Sequence, residues 1–140
     1  MFNVNVLGTF LVTAAALKHL GENSSIINIS SAVTEWAPPH SSVYASSKSA
    51  VDTLTAVLAK ELGPKKIRVN AIKPGVIVTE KIAASSDDVK ISLNALASQI
   101  PLGHLGTTQD VAKLAVFLAS DDSAYLSGDH ISVSGGFNAT

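Results

Sequence analysis

The chain has 140 residues, of which 46% are hydrophobic and 15% charged, with a formal net charge of −1 and no cysteine. Intrinsic disorder is excluded, because a disordered chain needs low hydrophobicity and high net charge. The lack of cysteine excludes a disulfide framework, a thiolate metal site and a thiol nucleophile, and it favours a cytoplasmic location. The near balance of 10 basic and 11 acidic residues argues against nucleic-acid binding.

The first apolar stretch, Val4–Leu17, predicts a buried helix instead of a membrane span. Polar residues and a glycine interrupt it well short of the length that crosses a bilayer, and it lacks the preceding Lys or Arg of a signal peptide. We therefore expect no membrane association. The length of the chain suits a single domain over residues 1–140.

Apolar runs of two lengths alternate along the chain. Three short β-branched runs, typical of strands buried on both faces, lie at 26–29, 67–72 and 130–133. Three longer runs, typical of helices, lie at 3–20, 44–62 and 108–119. This alternation predicts an α/β fold, with a parallel sheet of three strands and helices on both of its faces.

Two of these helices carry recognisable end signals. Gly63, which Pro64 follows, predicts a C′ glycine that ends helix 44–62. Thr107 and Asp110 have the spacing of a capping box and predict the start of helix 108–119.

Residues 79–101 fit the alternation least well. A Ser/Asp cluster precedes a weak helical pattern there, just after the carboxyl end of a strand, where ligands bind in open parallel α/β sheets. One interpretation is an inserted substrate lid. The other is an ordinary surface helix.

Tyr44 and Lys48 form a Tyr-x-x-x-Lys pair, and their spacing puts both side chains on one face of helix 44–62. That face also holds core positions, where an ammonium is costly unless it is paired or used. A phenol that works near pH 7 needs its ordinary pKa of about 10 lowered, and a cation one turn away favours the phenolate. The alternative is a packed tyrosine with a lysine that extends to solvent.

The ends of two predicted strands add candidate site residues. Ser30 and Ser31 end the first strand, where a hydroxyl can bind a substrate carbonyl, although a strand terminator has the same pattern. Pro74 and Gly75 end the second, where a missing Cβ permits close approach of a ligand, although most such pairs are simple turns. Trp36 fits pocket lining and core packing equally well. The four histidines have no metal-ligand spacing, so no metal site is predicted.

Several motifs follow one another over essentially the whole chain. They are Asn-Ile-Ser-Ser at 28–31, Tyr-Ala-Ser-Ser-Lys at 44–48, Arg-Val-Asn-Ala-Ile-Lys-Pro-Gly at 68–75, Thr79, and Ser-Gly-Asp-His-Ile-Ser-Val-Ser-Gly-Gly at 127–136. This series resembles the classical short-chain dehydrogenases/reductases. The resemblance implies a Rossmann-like doubly wound sheet and an oxidoreductase that interconverts a ketone or aldehyde and an alcohol by hydride transfer. It implies NAD or NADP as the cofactor, with NADP slightly favoured.

The resemblance also implies a role for each matching residue. Tyr44 would exchange a proton with the substrate oxygen, Lys48 would favour its phenolate and hold the nicotinamide ribose, and Ser31 would polarise the carbonyl. Asn5 would anchor a water that leads to the lysine, which fits its unfavourable place in an apolar helix. The cofactor-binding residues would be Tyr44, Lys48, Pro74, Gly75, Ile77 and Thr79.

The family's glycine-rich fingerprint, T-G-x-x-x-G-x-G, does not occur in the 140 residues. We therefore expect only the C-terminal half of the fold, without the N-terminal dinucleotide-binding βαβ units. One interpretation is the catalytic half of an oxidoreductase, in a truncated chain that is inactive alone and whose substrate is a small carbonyl compound or alcohol. The alternative is a non-catalytic module that forms homo-oligomers through helices 3–20 and 44–62. Residues 26–30 would form an open edge of the sheet, so we expect aggregation or self-association.

Overall fold

The computed structural model describes residues 1–80, 92–93 and 95–139. The first helix, α1, is π-helical over Asn3–Gly8 and α-helical over Thr9–Ala16. The later elements are β1 (Ser25–Ile29), α2 (Val33–Trp36), α3 (Ser42–Leu62), β2 (Arg68–Pro74), β3 (Ile77–Val78), β4 (Gly106–Thr107), α4 (Thr108–Ala119) and β5 (His130–Val133). Short 3₁₀ turns follow α3 and α4, at Gly63–Lys65 and Asp121–Ser123. About half of the lid predicted at 79–101, namely residues 81–91 and 94, lies outside the described residues.

The main sheet has three parallel strands in the order β1-β2-β5. Ile29 pairs with Ile72, and Pro74 pairs with Val133, so the carboxyl ends of all three strands meet at one edge. The predicted α/β architecture is confirmed. A second parallel pair, β3 with β4, was not predicted, because strands of two residues are too short to show a pattern.

The core lies between α3 and the sheet. Leu58 and Leu62 of α3 pack with Ile67 and Val69, at the start of β2. The helix face that carries Tyr44 and Lys48 is buried further along α3, at Val51, Thr55, Leu58 and Leu62. This packing fixes the rotation of α3 and thus the face on which its first residues lie.

Helix α1 differs from the prediction for residues 3–20. It ends at Ala16, and Thr13 is its one buried residue, while Val12 is 70% exposed. The prediction of a buried helix was wrong. One flank of α1 contacts α3, and hydrophobicity alone buries a helix only where another surface covers it.

The signals at two helix ends had different outcomes. Gly63 has φ −52° and begins a 3₁₀ turn, whereas Lys66 adopts the left-handed conformation at φ +56°. The predicted end of the helix at Leu62 is confirmed, but Gly63 is not a left-handed C′ residue, because the turn through Pro64 delays the left-handed position to Lys66. Thr107 is confirmed as the N-cap of α4 and forms a capping box with Asp110. Within the described ranges, no helix is long and apolar enough to cross a membrane.

Candidate active site

A pocket of about 350 Å³ lies at the carboxyl ends of β1 and β2, where parallel α/β sheets bind ligands. Its lining is Ser31, Ala32, Val33, Trp36, Tyr44, Pro74, Gly75, Val76, Ile77 and Phe137. Five predicted site residues are therefore brought together here, namely Ser31, Tyr44, Pro74, Gly75 and Ile77. Thr79 is exposed just beyond β3 and is not part of this lining.

Tyr44 lies in the first turn of α3, and its side chain is accessible from the pocket, with 37% of the residue exposed. Lys48 lies one turn further along the same face. Its ammonium is 6.0 Å from the centre of the Tyr44 ring. The spacing therefore places a cation beside the phenol, as predicted.

The Lys48 ammonium is anchored on β1, because Nζ donates a 2.8 Å hydrogen bond to the carbonyl oxygen of Ile29. Partial burial lowers the pKa of Lys48 from its ordinary value, and the carboxylate of Asp52 opposes this change. The lysine is thus a fixed cation whose position depends on the end of β1.

The two serines after β1 have different environments. Ser30 is buried, and its hydroxyl donates to the carbonyl oxygen of Lys48 at 3.3 Å. Ser31 faces the pocket, and its Oγ accepts a 3.2 Å hydrogen bond from the Val33 backbone N–H. Because the oxygen of Ser31 is the acceptor in that bond, its hydroxyl proton can be directed at a ligand in the pocket.

Asn5 does not line the pocket but bonds to the helix that carries Tyr44. Its amide donates to Ser47 Oγ at 3.0 Å, and the Ser47 hydroxyl donates to the Tyr44 carbonyl oxygen at 2.7 Å. Asn5 therefore lies behind the site, next to the backbone of its first helical turn.

Comparison with known proteins agrees with this geometry. A family model described as enoyl-(acyl carrier protein) reductase matches residues 1–138. The chain belongs to the short-chain dehydrogenase/reductase family. The resemblance inferred from the motifs is thus confirmed.

Individual members of the short-chain dehydrogenase/reductase family are similar over nearly the whole chain. An uncharacterised oxidoreductase of Methylorubrum extorquens is 48% identical over 97% of this chain and 55% of its own length. A (3R)-3-hydroxyacyl-CoA dehydrogenase of Rattus norvegicus is 46% identical over 95% of this chain and 51% of its own length. The structure of ElxO with a Tyr-to-Phe substitution and bound NADPH is 38% identical, with a TM-score of 0.91, over 100% of this chain and 57% of that one. The chain spans about half the length of the curated relatives that it matches.

Gly75 of this dehydrogenase/reductase chain is required by internal packing. A Cβ at Gly75 would lie 2.8 Å from the Cα of Ser134, and the Gly75 N–H donates to the Val133 carbonyl oxygen at 2.9 Å. The end of β2 therefore passes too close to the end of β5 for any larger residue.

The sequence motifs did not reveal an ion pair beside the pocket. The side chain of Lys73, on β2, is 6% exposed, and its Nζ lies 2.5 Å from Glu35 Oε1 and 3.5 Å from Asp52 Oδ2. A lone lysine in an apolar strand was the available signal, since a buried ammonium requires a carboxylate partner.

The sequence left open whether Trp36 lines a pocket or packs in the core. In the structure its side chain lines the pocket. Among the described residues, no group of His, Cys, Asp and Glu could hold a metal ion.

Proposed function

We propose that this chain carries the proton-transfer site of an NAD(P)H-dependent oxidoreductase that interconverts a ketone or aldehyde and an alcohol. One arrangement carries the proposal, in which Tyr44 and Ser31 line a single pocket and the Lys48 ammonium lies 6.0 Å from the Tyr44 ring. The family membership and the names of the relatives support the same class of reaction.

Each of these residues has one chemical task in the proposed reaction. Tyr44 donates its phenolic proton to the carbonyl oxygen during reduction and takes it back during oxidation. The Ser31 hydroxyl donates a hydrogen bond to the same oxygen and stabilises the charge that develops there. The Lys48 ammonium favours the phenolate that Tyr44 becomes after it gives up its proton.

The residues around Tyr44 fit the nicotinamide end of a dinucleotide. An ammonium has three N–H groups, and the carbonyl oxygen of Ile29 takes one from Lys48, so the others can bind ribose hydroxyls. Pro74, Gly75 and Ile77 would contact the nicotinamide ring, and Thr79 would reach its carboxamide. Bound nicotinamide supplies the hydride for reduction or accepts it in oxidation. NADP is slightly favoured over NAD, as the NADPH bound to ElxO supports.

We further propose that the 140 residues alone bind a dinucleotide weakly and turn over little substrate. They contain no glycine-rich fingerprint, which in dinucleotide-binding folds brings backbone N–H groups to the pyrophosphate. Calorimetric titration of the 140-residue chain with NADPH should therefore give little heat. Tight binding would contradict this part of the proposal.

Activity can be tested in a chimera that joins the first half of the Methylorubrum extorquens oxidoreductase to these 140 residues. We expect NADPH oxidation in the presence of ketones, and Tyr44→Phe should lower the turnover by about 10²-fold or more, since the proton donor is lost. Tyr125→Phe is the matched control, because Tyr125 is the only other tyrosine and is fully exposed. Unchanged turnover in Tyr44→Phe would refute the assigned role.

Self-association is the second candidate function, and an exposed apolar groove between α1 and α3 favours it. The groove has a volume of about 520 Å³, and its lining is Phe2, Asn3, Val6, Leu7, Phe10, Ala50, Thr53, Leu54 and Val57. We propose that a second copy of the chain covers it. The cysteine-free composition also supports a cytoplasmic location for the assembly.

Light scattering tests this oligomer directly. Phe10→Glu should shift the chain towards a smaller species, because it puts a charge into the apolar groove. Val116→Glu is the matched control, since Val116 is an exposed apolar residue on α4 and does not line the groove. A wild-type chain that is monomeric at all concentrations would contradict self-association.

A further inference from the structure

The buried Lys73 forms a partly buried contact with Glu35 directly beside the pocket. Lys73 is held between two carboxylates, those of Glu35 on α2 and Asp52 on α3. Both carboxylates neutralise the lysine, which is tolerated in a buried position only because of such pairing. Lys73 thereby joins the end of β2 to two helices.

Glu35 also binds two residues near the end of the described chain. Ser132 Oγ donates to Glu35 Oε2 at 3.2 Å, and Asn138 Nδ2 donates to the same oxygen at 3.0 Å. Asn138 Nδ2 lies 3.1 Å from the Ala32 carbonyl oxygen as well. We call Glu35, Lys73, Ser132 and Asn138 the Glu35 clamp, since they fasten α2 to the main sheet and to the segment after β5.

Two of the segments that the Glu35 clamp fastens, α2 and the segment after β5, each carry one aromatic ring of the pocket. Trp36 directly follows Glu35, and Phe137 directly precedes Asn138. The centres of the two rings are 4.8 Å apart, with an angle of 71° between their planes, which is a favourable edge-to-face contact. The position of this aromatic pair therefore depends on side chains one residue away from each ring.

We propose that the Glu35 clamp positions Trp36 and Phe137 as a wall of the substrate pocket, and that this wall receives the alkyl or aryl group of a neutral carbonyl compound. The substrate class rests on the proposed function. The described pocket lining supports it, because five side chains outside the proposed nicotinamide contacts are apolar, namely Ala32, Val33, Trp36, Val76 and Phe137. None of the lining side chains is charged, so the lining has no partner for an anionic group.

Fluorescence tests the positioning role without any turnover, because Trp36 is the single tryptophan of the chain. In Lys73→Met and Asn138→Ala we expect red-shifted emission and roughly twofold stronger acrylamide quenching, since loss of the edge-to-face contact frees a residue that is now 48% exposed. Lys66→Met is the matched control, because it removes the exposed ion pair with Glu22. If Lys73→Met does not fold, the quenching of Trp36 in Asn138→Ala is the test. Wild-type quenching in the folded clamp variants would overturn the positioning role.

Cyclohexanone is the probe for the substrate class. It should protect Trp36 of the wild-type chain from acrylamide, and acetone, which lacks an apolar body, should protect it less. Asn138→Ala should lose most of this protection. Equal effects of the two ketones, or no protection by cyclohexanone, would overturn the substrate class. These measurements do not involve Tyr44 chemistry, so failure of the proposed reaction would be seen separately, as retained turnover in Tyr44→Phe.

Discussion

Asn5 and Ser47 are joined by a 3.0 Å hydrogen bond, although 42 positions separate them in the sequence. Ser47 is fully buried, and its hydroxyl donates a hydrogen bond to the carbonyl oxygen of Tyr44. Asn5 belongs to the π-helical start of α1, and π-helical turns recur at functional sites. The bond therefore holds the first turn of α3 against α1 at the residue that the proposed chemistry needs.

Asn5→Ala removes the amide that bonds to Ser47, so we expect the free energy of unfolding to fall by about 1 kcal/mol. Urea denaturation measures this loss. Asn3→Ala serves as the control, because Asn3 is an exposed residue of the same helical segment. Equal stabilities of the two variants would mean that the Asn5–Ser47 bond contributes nothing to the fold.

Gly75→Ala should destabilise the chain by about 1–3 kcal/mol, because the added Cβ would lie 2.8 Å from the Ser134 backbone and force β2 and β5 apart. Gly21→Ala provides a matched comparison, since a Cβ at Gly21 meets nothing within 4 Å. Thermal denaturation of both variants distinguishes them. A Gly75→Ala chain as stable as Gly21→Ala would show that the two strand ends separate without cost.

The sequence predicted the features that depend on residues only a few positions apart. Thr107 and Asp110 lie three positions apart and bond to each other, so the start of α4 could be read directly. The separation of Tyr44 and Lys48 by one helical turn likewise put both side chains on one face of α3. The catalytic roles of these residues stay predictions.

Apart from the conformation of Gly63, the failures involve partners that are distant in the sequence. Glu35 and Lys73 are 38 positions apart, and no periodicity connects a residue of α2 with one of β2. The burial of α1 likewise depends on which surfaces cover it, which its own apolar residues do not specify. The close approach of Ser134 to Gly75 became visible only once β5 was aligned with β2.

Thr55→Val should lower the free energy of unfolding by about 1–3 kcal/mol, because it leaves the buried amide of Asn28 without its acceptor. Asn28 Nδ2 donates to Thr55 Oγ1 at 2.9 Å, and this bond joins β1 to α3. The substitution keeps the shape of the side chain, so the loss measures the missing oxygen. Thr53→Val, at an exposed position of α3, should change stability little. Similar losses in both variants would assign the effect to the helix and not to the buried bond.

Lowering the pH should weaken the Glu35 clamp. The hydrogen bond from Lys73 is the largest cause that lowers the pKa of Glu35 below its ordinary value of 4.5, and burial opposes it. A carboxylate with a lowered pKa in the folded state stabilises the fold above its ordinary pKa, and this contribution disappears as the pH falls through the lowered value. The stability difference between wild type and Glu35→Gln should therefore be largest near neutral pH and shrink below pH 4.5.

Urea denaturation of wild type and Glu35→Gln over a series of pH values measures that difference, with Trp36 emission as the signal. The same pair in a Lys73→Met background is the control, because the main cause of the lowered Glu35 pKa is then missing. We expect the pH dependence of the difference to be weaker in that background. A difference that stays constant from neutral to acid pH in the wild-type background would show that Glu35 contributes no proton-linked stability. A dependence that survives Lys73→Met would assign the effect to the hydrogen bonds from Asn138 and Ser132.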